Sequence, residues 1–232
     1  MRQTLSTTDL QVTLSALDSG VCLQSFGPPH APSFAEPATT PLVARIQRAG
    51  ASEPVVWRSL GADDQPPQGY VVFRFASSDG CLTAESVWRV RGPIGPIEHS
   101  IVYANHGVED ILLPVGPSLQ FETLRSGLTL WWVEKGAGSS SRVGTHAEPV
   151  AHGYRFQGRS SPYAEDGQEM IPWLALQDSS DGVYFGIESS ACVGFEASAD
   201  RGLTLIAGAD PEGGEFAILL QPGRSYETPK VF

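Results

Sequence analysis

Hydrophobic and polar positions alternate with period two along most of the chain. Val71, Phe73 and Phe75 fall on one side, with Tyr70, Val72 and Arg74 on the other. Leu82, Ala84, Ser86, Trp88 and Val90 then line one face of a long segment whose other face carries Glu85, Arg89 and Arg91. Ile97, His99, Ile101 and Tyr103 repeat the alternation. This period is the signature of a strand buried on one face. Asp79-Gly80 is a hairpin-turn pair, and Gly92-Pro-Ile-Gly-Pro96 supplies the next reversal. Together these segments predict an antiparallel meander.

The same signal extends to both ends. Leu10, Val12 and Leu14 alternate, Asp18-Ser-Gly20 turns the chain, and Val21 and Leu23 begin the return. Residues 27–41 are proline-rich without periodicity and read as a surface loop, with short strands expected at 42–46 and 55–57. Strands are also expected at 110–115, 118–123 and 128–134, with a weaker one at 152–157. Hairpins then turn at Ser180-Asp-Gly182 and Asp200-Arg-Gly202, and Phe216, Ile218 and Leu220 close the series. No apolar stretch holds a helical period beyond two turns, and no internal repeat is visible. These features predict an all-β fold of two large packed antiparallel sheets. One stretch, 127–176, departs from the pattern. It holds Leu128-Thr-Leu-Trp-Trp-Val-Glu-Lys135, Gly158-Arg-Ser-Ser161 and Ile171-Pro-Trp-Leu-Ala-Leu176, separated by Gly, Ser and charge. A long irregular segment inside a regular β pattern is expected to be functional, an interface or disordered.

Composition narrows the partners. Of 232 residues 41% are hydrophobic, enough for a substantial core. A net charge of -11 argues against a nucleic-acid backbone or an anionic membrane surface as partner. No apolar run approaches the roughly 20 residues of a membrane helix, and the N-terminus lacks a signal-peptide core. Cys22, Cys81 and Cys192 show no Cys-x-x-Cys spacing, so reduced thiols in a cytoplasmic protein are expected. The chain stops at Val231-Phe232 directly after a strand entry, which reads as a domain boundary within a longer protein.

Candidate chemistry is sparse. Glu165, Asp166 and Glu169 cluster near Tyr163 and Trp173. Glycoside hydrolysis requires two carboxyls about 5–5.5 Å apart for retention or about 6.5–9.5 Å for inversion. Polar surroundings favour a solvated acidic loop here. His30, His99, His106, His146 and His152 lack metal-ligand spacing, and His99 reads as a hydrogen-bonded core or interface residue. Ser139, Ser140, Ser141, Ser160 and Ser161 sit in no nucleophile elbow, and Gly136-Ala-Gly138 lacks the helix and Lys of a phosphate loop. No cofactor and no metal are expected. Trp131 and Trp132 must point to opposite faces of a strand. An outward Trp beside Glu134 and Lys135 suits either a sugar face or another domain.

The Trp-Trp-Val-Glu-Lys strand, the Gly158-Arg-Ser-Ser161 segment and the Leu-Ala-Leu strand resemble the N-terminal domain of family 36 glycoside hydrolases, the α-galactosidases. Pro162 stands where that family has His. Gly182-Val-Tyr-Phe-Gly-Ile-Glu-Ser-Ser190 and Leu220-Gln-Pro-Gly-Arg-Ser-Tyr-Glu-Thr-Pro-Lys-Val-Phe232 resemble its last strands, and the hairpin around Asp18 is similar too. The resemblance implies a β-supersandwich, the fold also seen in galactose mutarotase, formed by residues 1–232 as one domain and followed by a catalytic (β/α)8 barrel. It implies that both catalytic aspartates belong to the barrel, so that none lies in this chain, and that the isolated chain is inactive. The domain would pack on that barrel, contribute homo-oligomer contacts or form one wall of a galactoside site. Trp132, Glu134, Arg159, Ser160 and Ser161 are the candidates for that wall. The alternatives are a stand-alone carbohydrate-binding sandwich and a mutarotase-like epimerase using His99 or His152 with Glu188.

Overall fold

The computed structural model describes residues 2–30, 34–63, 69–135, 144–161, 169–209 and 217–232. Every element among them is a strand. β1 (Arg2–Ser6), β2 (Gln11–Leu17), β3 (Gly20–Gly27) and β4 (Ala38–Pro41) form a sheet in that order. β5 (Arg45–Arg48) and β6 (Ala51–Pro54) pair across Ala49-Gly50, both with positive φ. β7 (Trp57–Ala62) pairs with the first strand of the meander read from the alternation, which is β8 (Tyr70–Ser77), β9 (Leu82–Val90) and β10 (Ile97–Asn105). β11 (Ile111–Pro114) joins β5, while β12 (Pro117–Thr123) opens another sheet. Next come β13 (Thr129–Glu134), β14 (Thr145–Pro149), β15 (Arg155–Ser160), β16 (Met170–Gln177) and β17 (Gly182–Glu188). The hairpin β18 (Val193–Ala199) and β19 (Leu203–Ala209) precedes β20 (Ala217–Leu220), β21 (Ser225–Glu227) and β22 (Lys230–Val231).

A ten-stranded antiparallel sheet runs β14-β13-β16-β17-β22-β10-β9-β8-β7, with β21 also beside β10. Against it lies a second layer made of two four-stranded sheets, β1-β2-β3-β4 and β12-β19-β18-β15. These meet where Gln120 N donates to Thr40 Oγ1 at 2.9 Å and Glu36 bridges Glu122. The core fills the space between layers, with Phe73, Phe75, Leu82 and Leu174 from the large sheet and Leu14, Phe121, Phe195 and Leu205 from the other. The fold class is the predicted two-layer, all-β sandwich. No helix among the described residues is long and apolar enough to cross a membrane.

Several local expectations shift. Residues 42–46 and 55–57 are mostly connections rather than strands, because β4 ends at Pro41 and β5 begins at Arg45, while β6 ends at Pro54 and β7 begins at Trp57. The proline-rich loop contains β4, whose short alternation the prolines masked, and β1 carries only one buried residue, Leu5. The stretch 127–176 is mostly strand where it is described. Its β14, Thr-His-Ala-Glu-Pro, is an edge strand without an apolar face, so no hydrophobic period announces it. Gly158-Arg-Ser-Ser161 covers the end of β15 and the residue after it, and Ser139, Ser140 and Ser141 lie outside the described residues.

Gly20 sits at φ +150°, and a Cβ there would lie 2.1 Å from the Thr40 carbonyl oxygen of the neighbouring strand. Backbone cannot yield as a flexible side-chain tip does. Gly20→Ala should therefore cost on the order of 3 kcal/mol. Urea unfolding checks it: a cost under about 0.5 kcal/mol would show that β3 and β4 are not held this closely.

Candidate functional site

The resemblance-derived residues converge at the edge where β14, β13 and β16 meet β15 of the other layer. On β13 the inward side chains are Leu130, Trp132 and Glu134, because Leu130 is fully buried and strand faces alternate. The Trp132 ring stacks on His146 of β14, centroids 3.9 Å apart and planes 10° off parallel, and lies 5.8 Å from Phe156 of β15. Glu134 Oε1 stands 2.9 Å from His146 Nε2, off the line of a hydrogen bond. The layers approach so closely here that a Cβ on Gly158 would lie 2.1 Å from Met170 Sδ. A side chain on Gly158 would therefore require the Met170 thioether and the Phe156 ring to shift.

Polar groups lock the edge. Lys135 Nζ donates to the Ser161 carbonyl, Ser161 N donates to Glu169 Oε2 at 2.6 Å, and Lys135 N donates to the Glu169 carbonyl at 2.7 Å. Tyr154 donates to Glu148 at 2.7 Å, and burial together with that carboxylate raises the phenol pKa. Ser160 and Ser161 are buried, whereas Arg159 is exposed on the opposite face of β15 from Ser160. Trp132, Glu134 and Ser161 therefore share one edge, and Arg159 does not face it. Glu165, Asp166 and Tyr163 lie outside the described residues. Glu169 is engaged as an acceptor for backbone N–H.

The outward tryptophan is Trp131. On the outer face of the large sheet it joins Val133, Ile171, Trp173 and Tyr184, residues that alternate with the buried Leu130, Leu174 and Phe185. Trp173 and Tyr184 stack at 5.6 Å and 25°, and Tyr184 is 67% exposed. The row continues to Phe232, which covers Gly186 and carries the Arg91 guanidinium 5.2 Å above its ring. Beside it Glu98, only 3% exposed, accepts Arg89 Nη2 at 2.6 Å and is closed on its other oxygen by Arg91. Two guanidiniums offset the cost of burying that carboxylate. Arg91 also binds Glu188 and holds its pKa below the usual range. Sequence reading missed this face, although aromatic residues at outward strand positions were its available signal.

The proposed epimerase pairs do not assemble. His99 lies inside the sandwich, opposite Val231, which pairs in turn with Ile187. Glu188, one residue on, points from the other face of the same sheet. His152 is exposed, its Nδ1 2.9 Å from the Asp200 carbonyl at the edge of the second layer.

Comparison with solved structures shows what this fold is shared with. The family 36 α-galactosidase AgaA from Geobacillus stearothermophilus superposes with a TM-score of 0.75 at 14% identity, over 100% of this chain and 40% of that one. The α-galactosidase from Lactobacillus brevis gives 0.73 at 13% identity, covering 99% of this chain and 38% of its own. A putative aldose 1-epimerase from Escherichia coli gives 0.57 at 13% identity, over 100% and 97%. The chain thus spans about two fifths of the α-galactosidases it matches. No family model and no curated protein matches the sequence. The likeness is one of fold, and it agrees with the supersandwich that the sequence resemblance implied.

Two outcomes follow from the geometry. Trp132→Ala removes a ring packed on His146 and Phe156, and should cost about 2–3 kcal/mol in urea unfolding; an unchanged midpoint would mean the ring is not part of the packing. Burial lowers the His99 pKa from 6.5 to about 3, opposed by the Ser118 backbone. The folded chain holds this ring neutral, so below pH 6.5 only the unfolded chain takes up its proton. The group's contribution is complete above pH 6.5 and is lost as pH falls toward about 3, at roughly 1.4 kcal/mol per unit. His99→Leu should flatten the unfolding free energy between pH 6 and 4 by about that slope. Parallel profiles for variant and parent would contradict a buried neutral imidazole.

Proposed function

We propose that this chain is the non-catalytic β-supersandwich domain of an α-galactosidase-like glycoside hydrolase, packed in cis on a separate catalytic (β/α)8 barrel. The observation carrying this reading is the correspondence of the entire chain to about two fifths of AgaA. The remaining length of that enzyme has no counterpart in residues 1–232. The outer aromatic row of Trp131, Trp173 and Tyr184 supports a surface that another body covers, since stacked rings left in water mark interfaces. The wall of a galactoside site would draw on Trp132, Glu134, Ser160 and Ser161 at the layer edge, with Arg159 reaching it only from the far face of β15. Homo-oligomer contacts belong to the same proposal. Three free cysteines support a reducing, cytoplasmic setting.

A carbohydrate-binding module is the second reading, favoured by the Trp173–Tyr184 stack on an exposed face. Purified residues 1–232 should release no nitrophenol from p-nitrophenyl α-galactoside, whereas measurable turnover would overturn the non-catalytic assignment. Titration with raffinose separates the two readings. Millimolar or tighter binding that Tyr184→Ala abolishes would favour the module, and absence of binding by the isolated chain supports the packed domain.

A further inference from the structure

Between the two layers lies a cavity of about 390 Å³, apart from the layer edge described above, whose lining also reaches Tyr184 and Phe232 of the outer row. Phe26, Leu119 and Phe121 line it from the smaller layer, and Trp88, His99 and Phe185 from the ten-stranded sheet. Its aromatic walls brace one another: Phe26 meets Phe121 edge-on at 5.9 Å, and Phe121 meets Phe185 at 5.0 Å. Such a space is preformed rather than opened by a ligand. It falls within the roughly 300–1,000 Å³ of small-molecule pockets, and far exceeds the about 150 Å³ that holds benzene in an engineered core.

One buried polar side chain serves this space. His99 is 1% exposed and stacks on Trp88 with centroids 4.1 Å apart. Trp88 Nε1–H donates to Ser86 Oγ at 3.0 Å, and that oxygen lies 2.8 Å from His99 Nε2. Indole nitrogen can only donate, so Ser86 Oγ accepts from Trp88 and keeps its own hydrogen free to give to His99 Nε2. With Nε2 accepting, the neutral imidazole carries its proton on Nδ1, the side on which the Ser118 backbone favours one. Nδ1 has no hydrogen-bond partner: the Ser118 backbone is near enough to favour a proton there but does not close a bond. A buried donor left unpaired costs roughly 1–3 kcal/mol. Of the bordering carboxylates, Asp9 accepts from Thr7 and Gly95 through Oδ1, and Asp181 accepts from Arg125 through Oδ2 at 3.4 Å. Away from these two carboxylates the walls are mainly apolar, and water against them would lack the two to four polar partners that buried water requires.

We propose that this cavity binds a flat, uncharged, mainly apolar molecule of about bicyclic size with one hydrogen-bond acceptor, held by the Nδ1–H of His99. The acceptor completes the Trp88–Ser86–His99 relay, and the aromatic walls hold the ring system. An anionic ligand is excluded, because Asp9 and Asp181 border the cavity and no Lys or Arg lines it.

The test uses the full chain and two matched probes, 2-acetylnaphthalene and 2-ethylnaphthalene, followed by calorimetry and by NMR of the His99 and Trp88 side-chain resonances. The ketone should bind at one site about 10-fold more tightly than the hydrocarbon, with both ring resonances shifting. His99→Leu should remove that preference while retaining the hydrocarbon. Absence of binding by both probes up to their solubility limits, equal affinity for the two, or shifts confined to other residues would overturn the proposal. Should the variant fail to fold, the two-probe comparison on the parent chain decides alone.

Discussion

The large sheet depends on a two-residue strand at the end of the chain. β22 lies between β17 and β10, and it is the element that joins strands β7–β10 to the later strands β13, β14, β16 and β17. Val231 pairs with His99 on one side and with Ile187 on the other. Gly186 and Phe232 exchange backbone bonds of 2.7 and 2.9 Å, while Thr228 N donates to the Ile101 carbonyl at 2.9 Å. Without these bonds the β17 and β10 edges would stand unpaired inside the molecule, where an unsatisfied backbone group is costly. The insertion explains Gly186, since a Cβ there would lie 2.5 Å from the Phe232 ring.

Much of the molecule is organised across that seam. On its inner side His99 and Val231 border the cavity. On its outer side Arg91 spans Glu98 and Glu188, and Ser100 Oγ donates to Glu227 at 2.8 Å. The carboxylate of Glu98 is tolerated under this cover because guanidiniums from β9 and the following turn close on it. The two faces therefore have opposite characters. The inner one is apolar with a single imidazole, and the outer one is charged and aromatic.

How much of this was legible in the sequence follows from where each strand sits. β8, β9 and β10 were read correctly because one face of each meets the core and the other meets polar surroundings, which imprints period two. β14 was not, because an edge strand of Thr, His, Ala, Glu and Pro need not alternate. β22 showed only as a strand entry and through the family resemblance, because pairing with two neighbours across two residues leaves no period at all. The site was less legible than the fold. Trp131 and Trp132 were correctly assigned to opposite faces, but only packing decides which faces the other layer, and Trp132 does. His99 was read as a hydrogen-bonded core residue, which holds for Nε2. The orphaned Nδ1 depends on the Ser86 hydroxyl two strand positions from any sequence motif, and no local pattern reveals it. At 13–14% identity the structural relatives share the fold, so the role of the domain rests on physical tests of this chain.

Amide hydrogen exchange read residue by residue tests the stitching role of β22 most directly. Chain termini ordinarily fray, and their amides exchange with little protection. If β22 holds the two halves of the sheet together, the amides of Gly186, Thr228 and Phe232 should exchange only by global unfolding, at the protection found for Phe75 and Leu174. Fast exchange at those three positions, with Phe75 and Leu174 still protected, would contradict the account and show that the sheet persists without its C-terminal strand.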